Sequence, residues 1–133
     1  MKLKFLSLLF MLPLVTACQL ISPVFVDYNG VRMDVARWIN TQSLLSMQQK
    51  RSLVQLSKAQ QRLYRINEAS ESIQQEIAIQ NAVALQCAQR NVSERKIRQL
   101  QDQVLDENRQ QYLKVLNQQL DGLKLDPTTV HCE

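Results

Sequence analysis

The sequence predicts an all-α protein, a small helical bundle of long antiparallel helices. Three observations carry that reading. Neither Gly nor Pro occurs between Ser43 and Gly122. That stretch is rich in Gln, Leu, Arg, Ala and Glu, all good helix formers. Its apolar residues recur at helical spacing, and the run is too long for one globular helix, so it folds back on itself or forms a rod.

The N-terminus carries a different signal. Met1 to Lys4 is a short basic start, and Phe5 to Leu14 is an apolar run too short to span a bilayer as a mature helix. Val15-Thr16-Ala17-Cys18 follows, with a small residue directly before a cysteine. This pattern resembles the lipobox of bacterial lipoproteins; an ordinary signal peptide that happens to contain a cysteine is the alternative. The resemblance implies that residues 1–17 are a signal peptide that is removed, and that Cys18 is diacylglycerylated and then acylated at its new N-terminus. Several acyl chains anchor a protein firmly, since each buried methylene contributes about 0.8 kcal/mol. Gln19 follows the cysteine. The absence of Asp there implies, by the sorting rule of enteric-type lipoproteins, the periplasmic face of the outer membrane.

Residues 18–30 read as the lipidated cysteine and a tether. Pro23 and the Asp27-Tyr28-Asn29-Gly30 cluster are turn residues, and Val24-Phe25-Val26 could lie against the domain or the lipid surface. Residues 31–133 form the helical domain. Without Lys2 and Lys4 the formal charge falls from +4 to about +2, too little to imply a nucleic-acid partner.

A short helix carries Val31, Val35 and Trp38 on one face. Ser46-Met47-Gln48-Gln49 then reads as a capping box. Leu53, Leu56, Leu63 and Ile66 form the apolar face of the helix it opens. Ile73, Ile77, Ala84 and Cys87 continue the stripe, and no charge lies between Ile77 and Gln89. Breaks are expected at Asn67 to Ser72 and at Asn91-Val92-Ser93, a sequon without meaning in most bacteria.

A last helix is expected from about Ser93 to Asp121, with Ile97, Val104, Leu105, Tyr112, Val115, Leu116 and Leu123 inward. Asp121-Gly122 and Pro127 stop it. Gln101, Asn108 and Gln119 interrupt its stripe, either setting register or lying at its solvated edge.

With Cys18 committed to lipid, Cys87 and Cys132 remain. An oxidising compartment favours a disulfide between them over free thiols or an intermolecular bond. The closed loop of about 45 residues would contribute about 3–4 kcal/mol in the chain-entropy model. The bond also constrains the layout. With a hairpin at Ser93, Asp121 lies about 42 Å from that turn and Cys87 about 9 Å back from it. The tail reaches at most roughly 36–40 Å. Either it runs back along the bundle, or the final helix breaks near Asp106 to Arg109.

No catalytic constellation is present, so an enzyme is not expected. The one histidine, His131, lies in the tail, and two glycines cannot build a phosphate loop. His131-Cys132-Glu133 lacks the spacing of a metal site; neither a metal nor another cofactor is expected. One charged feature remains. Between Asp34 and Glu68 there is no acidic residue, and Arg51, Lys58, Arg62 and Arg65 fall within about 60° of one another on a helix face. That face is either solvated or a surface for an acidic partner, such as lipid headgroups, peptidoglycan carboxylates or an unfolded client protein.

Leu45-Ser46-Met47-Gln48-Gln49, with Lys50, Leu53, Leu56 and Lys58-Ala59-Gln60 after it, resembles the Leu-Thr-x-x-Gln segment of periplasmic helical stress proteins of the Spy and CpxP type. The match covers about twenty residues, with Ser46 in place of Thr. Leu105 to Arg109 would be a second copy and departs from the motif. The resemblance implies a dimeric, basic helical fold acting as an ATP-independent chaperone or signalling inhibitor. The expected function is therefore non-catalytic contact by a membrane-anchored envelope structural or accessory component. The alternative is a tethered chaperone or stress sensor using the basic face.

Overall fold

Ser46 sets the start of the helix around which the rest is arranged. Its side chain accepts from the Gln49 N–H at 3.2 Å, and Gln49 Oε1 accepts from the Ser46 N–H at 2.9 Å. This is the expected capping box, satisfying two donors that a helix start leaves open. Ser46→Ala is expected to lower unfolding free energy by about 1 kcal/mol, read from the urea midpoint.

The computed structural model describes residues 26–133. Cys18, the signal segment 1–17 and the tether up to residue 25 lie outside the described residues. Within them the fold is all helical: α1 (Met33–Thr41), α2 (Met47–Gln61), α3 (Glu71–Asn91), α4 (Glu94–Leu105) and α5 (Arg109–Leu120). α2 continues into a 3₁₀ segment, Arg62–Glu68.

Partner residues give the packing directions. Asn81 of α3 donates to the Ala59 carbonyl, and Asn91 to Ser52, so α3 runs antiparallel to α2. α4 returns beside α2, bringing the Val104 carbonyl to the Tyr64 hydroxyl at 2.6 Å. α1 runs antiparallel to α4: Arg32 reaches Val104 at one end, and Lys96 reaches Gln42 at the other. α2 is thus packed against α1, α3 and α4.

Leu53, Leu56, Leu63 and Ile66 are fully buried, as their spacing predicts, and Val35, Ile39, Leu100, Val104 and Leu105 complete the core. Val31 and Trp38 are only partly buried against it, and so are Val26 and Tyr28 from the end of the 18–30 segment. An Asx turn holds that end, with the Asn29 N–H on the Asp27 carboxylate at 2.9 Å and Gly30 at φ +82°.

Ile77, Ala84 and Cys87 are buried, but Ile73 is 40% exposed. It lies in the first turn of α3, beyond the stretch that α2 covers. The breaks at Asn67–Ser72 and Asn91–Ser93 fall where expected.

The single last helix is corrected to two. Asp106 adopts φ +49°, and a 3₁₀ turn, Asp106–Asn108, separates α4 from α5. α5 then packs on the far end of the bundle, with Tyr112 edge-on to Tyr64 and Gln119 bonded to Gln74. Gln101 is buried and Asn108 exposed. Gly122, at φ +78°, ends α5. A non-glycine residue at positive φ is strained by about 1–3 kcal/mol, so Asp106→Gly is expected to raise stability by about 1 kcal/mol in urea unfolding.

Candidate functional site

Cys87 and Cys132 are joined, with Cα atoms 5.5 Å apart. The tail after Gly122 runs back along the bundle to reach α3. Both routes that the reach calculation offered as alternatives are therefore taken together. Along the way Asp126 caps a 3₁₀ turn, Pro127–Thr129, and the Thr128 N–H holds its carboxyl below the ordinary aspartate value of 3.8. Cys132 has its sulfur in the disulfide, and His131 is held by its main-chain carbonyl, so the tail is a strap.

Three of the four basic residues share one groove. Lys58, Arg62 and Arg65 line a groove of about 600 Å³ together with Gly30, Glu68, Ile73 and Ile77, so the basic residues there outnumber one acidic residue. Arg51 is not part of that lining; it lies nearly two turns before Lys58, roughly 10 Å along the axis. Arg62 and Arg65 come together because the chain tightens to 3₁₀ from Arg62, where positions i and i+3 eclipse. The charges are partly answered: Arg62 meets Glu76 at 3.0 Å, and Lys58 meets Glu133 at 3.7 Å. Among the described residues no carboxylate lies within ion-pair distance of Arg65 or Arg51. Lys50, from the same acid-free stretch, is buried instead, donating to the Asn40 carbonyl at the end of α1 at 3.1 Å.

Sequence reasoning passed over the glutamines of α2. Gln49, besides its capping role, donates to the Asn91 carbonyl at 3.0 Å. Gln61 accepts from the Arg32 N–H at 2.7 Å and donates to the Gly30 carbonyl at 2.8 Å. Gln55 donates to the His131 carbonyl at 2.8 Å and accepts from the Glu133 N–H at 3.2 Å. Positions 49, 55 and 61 are each about 240° further round a helix, so they face three sides of α2. A residue type repeated without a shared face leaves no periodic signal.

Arg32 was also missed. Its guanidinium donates to the Gln103 and Val104 carbonyls at 2.8 and 3.3 Å, groups left open where α4 ends at Asp106. Asp34 binds it at 2.7 and 2.9 Å, which raises the Arg32 pKa further and lowers that of Asp34 below 3.8. A lowered carboxyl stabilises the fold above its ordinary pKa, and the effect is lost as pH falls through the depressed value. The stability gap between the parent chain and Asp34→Asn is thus expected to be present at pH 5 and to close below about pH 3.8. Urea titrations across that range read it; the pair is half exposed, so the gap is small.

No helix of the described residues is long and apolar enough to cross a membrane. No protein-family model, curated protein or solved structure matches the chain.

Proposed function

We propose that this protein is a lipid-anchored bacterial envelope protein that acts by non-catalytic contact with an anionic partner. It would be held through Cys18 at the periplasmic face of the outer membrane. The observation that carries the contact surface is the groove in which Lys58, Arg62 and Arg65 gather beside Ile73 and Ile77. Gly30 adjoins it, its Cβ position 3.9 Å from Lys58, so the tether meets the domain at the groove's rim. Residues 18–26 extend at most roughly 30 Å, which keeps the groove within reach of the membrane surface.

Two measurements test this reading. Intact mass spectrometry of membrane-extracted protein should give a mass lacking residues 1–17 and carrying three acyl chains; an unlipidated mass overturns the anchor. A photo-crosslinking residue at position 65 should give a discrete adduct in cells that one at position 51 does not. Equal patterns at the two positions overturn the groove.

A second reading, a tethered chaperone, draws on the half-exposed Ile73, Ile79 and Tyr64 around the same basic residues. In an aggregation-suppression assay the unlipidated chain should protect a client. Arg51, Lys58, Arg62 and Arg65 changed to Glu should abolish the protection, and no activity in either form removes this reading.

A further inference from the structure

A second groove, between α2 and α3, holds the last residues of the chain. Gln55 grips their backbone through two groups, the His131 carbonyl and the Glu133 N–H. In an extended chain, groups two residues apart point the same way, so one amide side chain holds both without reading a side chain. Val130 leads into the grip in the extended conformation, at φ −82° and ψ 107°. Gln61 makes the same pair of bonds to Gly30 and Arg32, so the grip occurs twice on one helix.

Charge adds selectivity. Lys58 Nζ lies 3.7 Å from the Glu133 carboxylate, and Arg62 lines the groove beside it. The floor is apolar, formed by Ala59, Ile79, Val83 and Ala84, and a cavity of about 410 Å³ stays open next to Thr129, His131 and Glu133. The tail fills only part of the groove. Thr129, His131, Cys132 and Glu133 are all exposed, so the strap is held by the disulfide, the backbone grip, the Lys58 ion pair and two long contacts. These run from Gln48 to the Glu133 carbonyl at 3.5 Å and from Arg90 to the Cys132 sulfur at 3.9 Å.

We propose that the α2/α3 groove is a binding site for an extended, acidic peptide segment of a partner protein, and that residues 130–133 are its resident occupant. The partner exchanges with the tail once the Cys87–Cys132 bond is opened. A thiol reductant does this, two of its thiols giving two electrons and two protons to the cysteine sulfurs and leaving as a disulfide. The proposal deepens the reading above, because Lys58 and Arg62 line both grooves. It is separable from it, because Arg65 lines only the first and Gln55 only the second.

The probe is a fluorescent peptide copying residues 127–133, with serine in place of cysteine, titrated into the full chain at low salt. The Cys132→Ser chain should bind it about tenfold more tightly than the oxidised parent, in which the tethered tail holds the Gln55 grip. Adding Gln55→Ala should weaken binding about tenfold, and a peptide with Gln for its final Glu should bind several-fold more weakly at low salt. Arg65→Glu should leave it unchanged. Equal binding by parent and Cys132→Ser, or indifference to Gln55→Ala, overturns the proposal. A concentration-dependent dimer of Cys132→Ser that ignores the peptide assigns the groove to a second copy, and overturns it too. Should Cys132→Ser lose its helical circular dichroism, the glutathione equilibrium of the intact bond decides. Gln55→Ala and Lys58→Glu should each favour the reduced form several-fold over the parent, and no shift overturns the groove's hold on the tail.

Discussion

Reduction of the Cys87–Cys132 bond is expected to lower the unfolding free energy by about 3–4 kcal/mol, read from urea transitions with and without reductant. The sequence separation of 45 sets the size of the effect on the unfolded chain. The structure adds where the native state should respond. The tail has little burial of its own, whereas Leu53, Leu63, Leu100 and Leu105 are fully buried and none of them lines the groove that the tail occupies. Hydrogen exchange should therefore speed first in residues 121–133 and the end of α5, and α2 should keep its protection until global unfolding. A loss below about 1 kcal/mol would mean that the reduced unfolded chain stays compact, since loop entropy then has little to act on.

Leu53→Ala is expected to cost about 3–5 kcal/mol, a large share of the stability of a domain this size. Leu53 is fully buried in α2, and α2 has α1, α3 and α4 around it, so no exposed side is left toward which the core could collapse. Leu44 is the matched control. It is 97% exposed in the turn before α2, and Leu44→Ala should stay within about 0.5 kcal/mol of the parent. Comparable losses at the two positions would contradict the central placement of α2.

What the sequence determined by itself is local or periodic. The capping box at Ser46, the breaks near Asn67–Ser72 and Asn91–Ser93, the stop at Gly122 and the stripe of Leu53, Leu56, Leu63 and Ile66 each depend on residues within a few turns of one another. The Cys87–Cys132 pairing was legible for another reason: once Cys18 is assigned to lipid, only one intramolecular pairing remains.

Tertiary structure decided which sides of each helix are covered. Ser52, Ser57 and Gln60 of α2 are buried as fully as its leucines, because three helices surround it, and no amphipathic pattern reveals a third neighbour. Ser57 satisfies its hydroxyl on the Leu53 carbonyl at 2.8 Å, inside its own helix, which lets a polar residue enter the core.

The basic residues are sorted by neighbours as well. The 3₁₀ tightening stacks Arg65 over Arg62 beside the groove that Lys58 also lines, while Arg51, roughly 10 Å before Lys58 along the axis, lies outside that lining. The break at Asp106 is also non-local. Its open carbonyls are answered by Arg32 and Tyr64, residues distant in the chain that meet only in the folded bundle. Local propensity sets where helices begin and end, while the partners that make a buried polar group or a bent backbone tolerable exist only after the helices have packed.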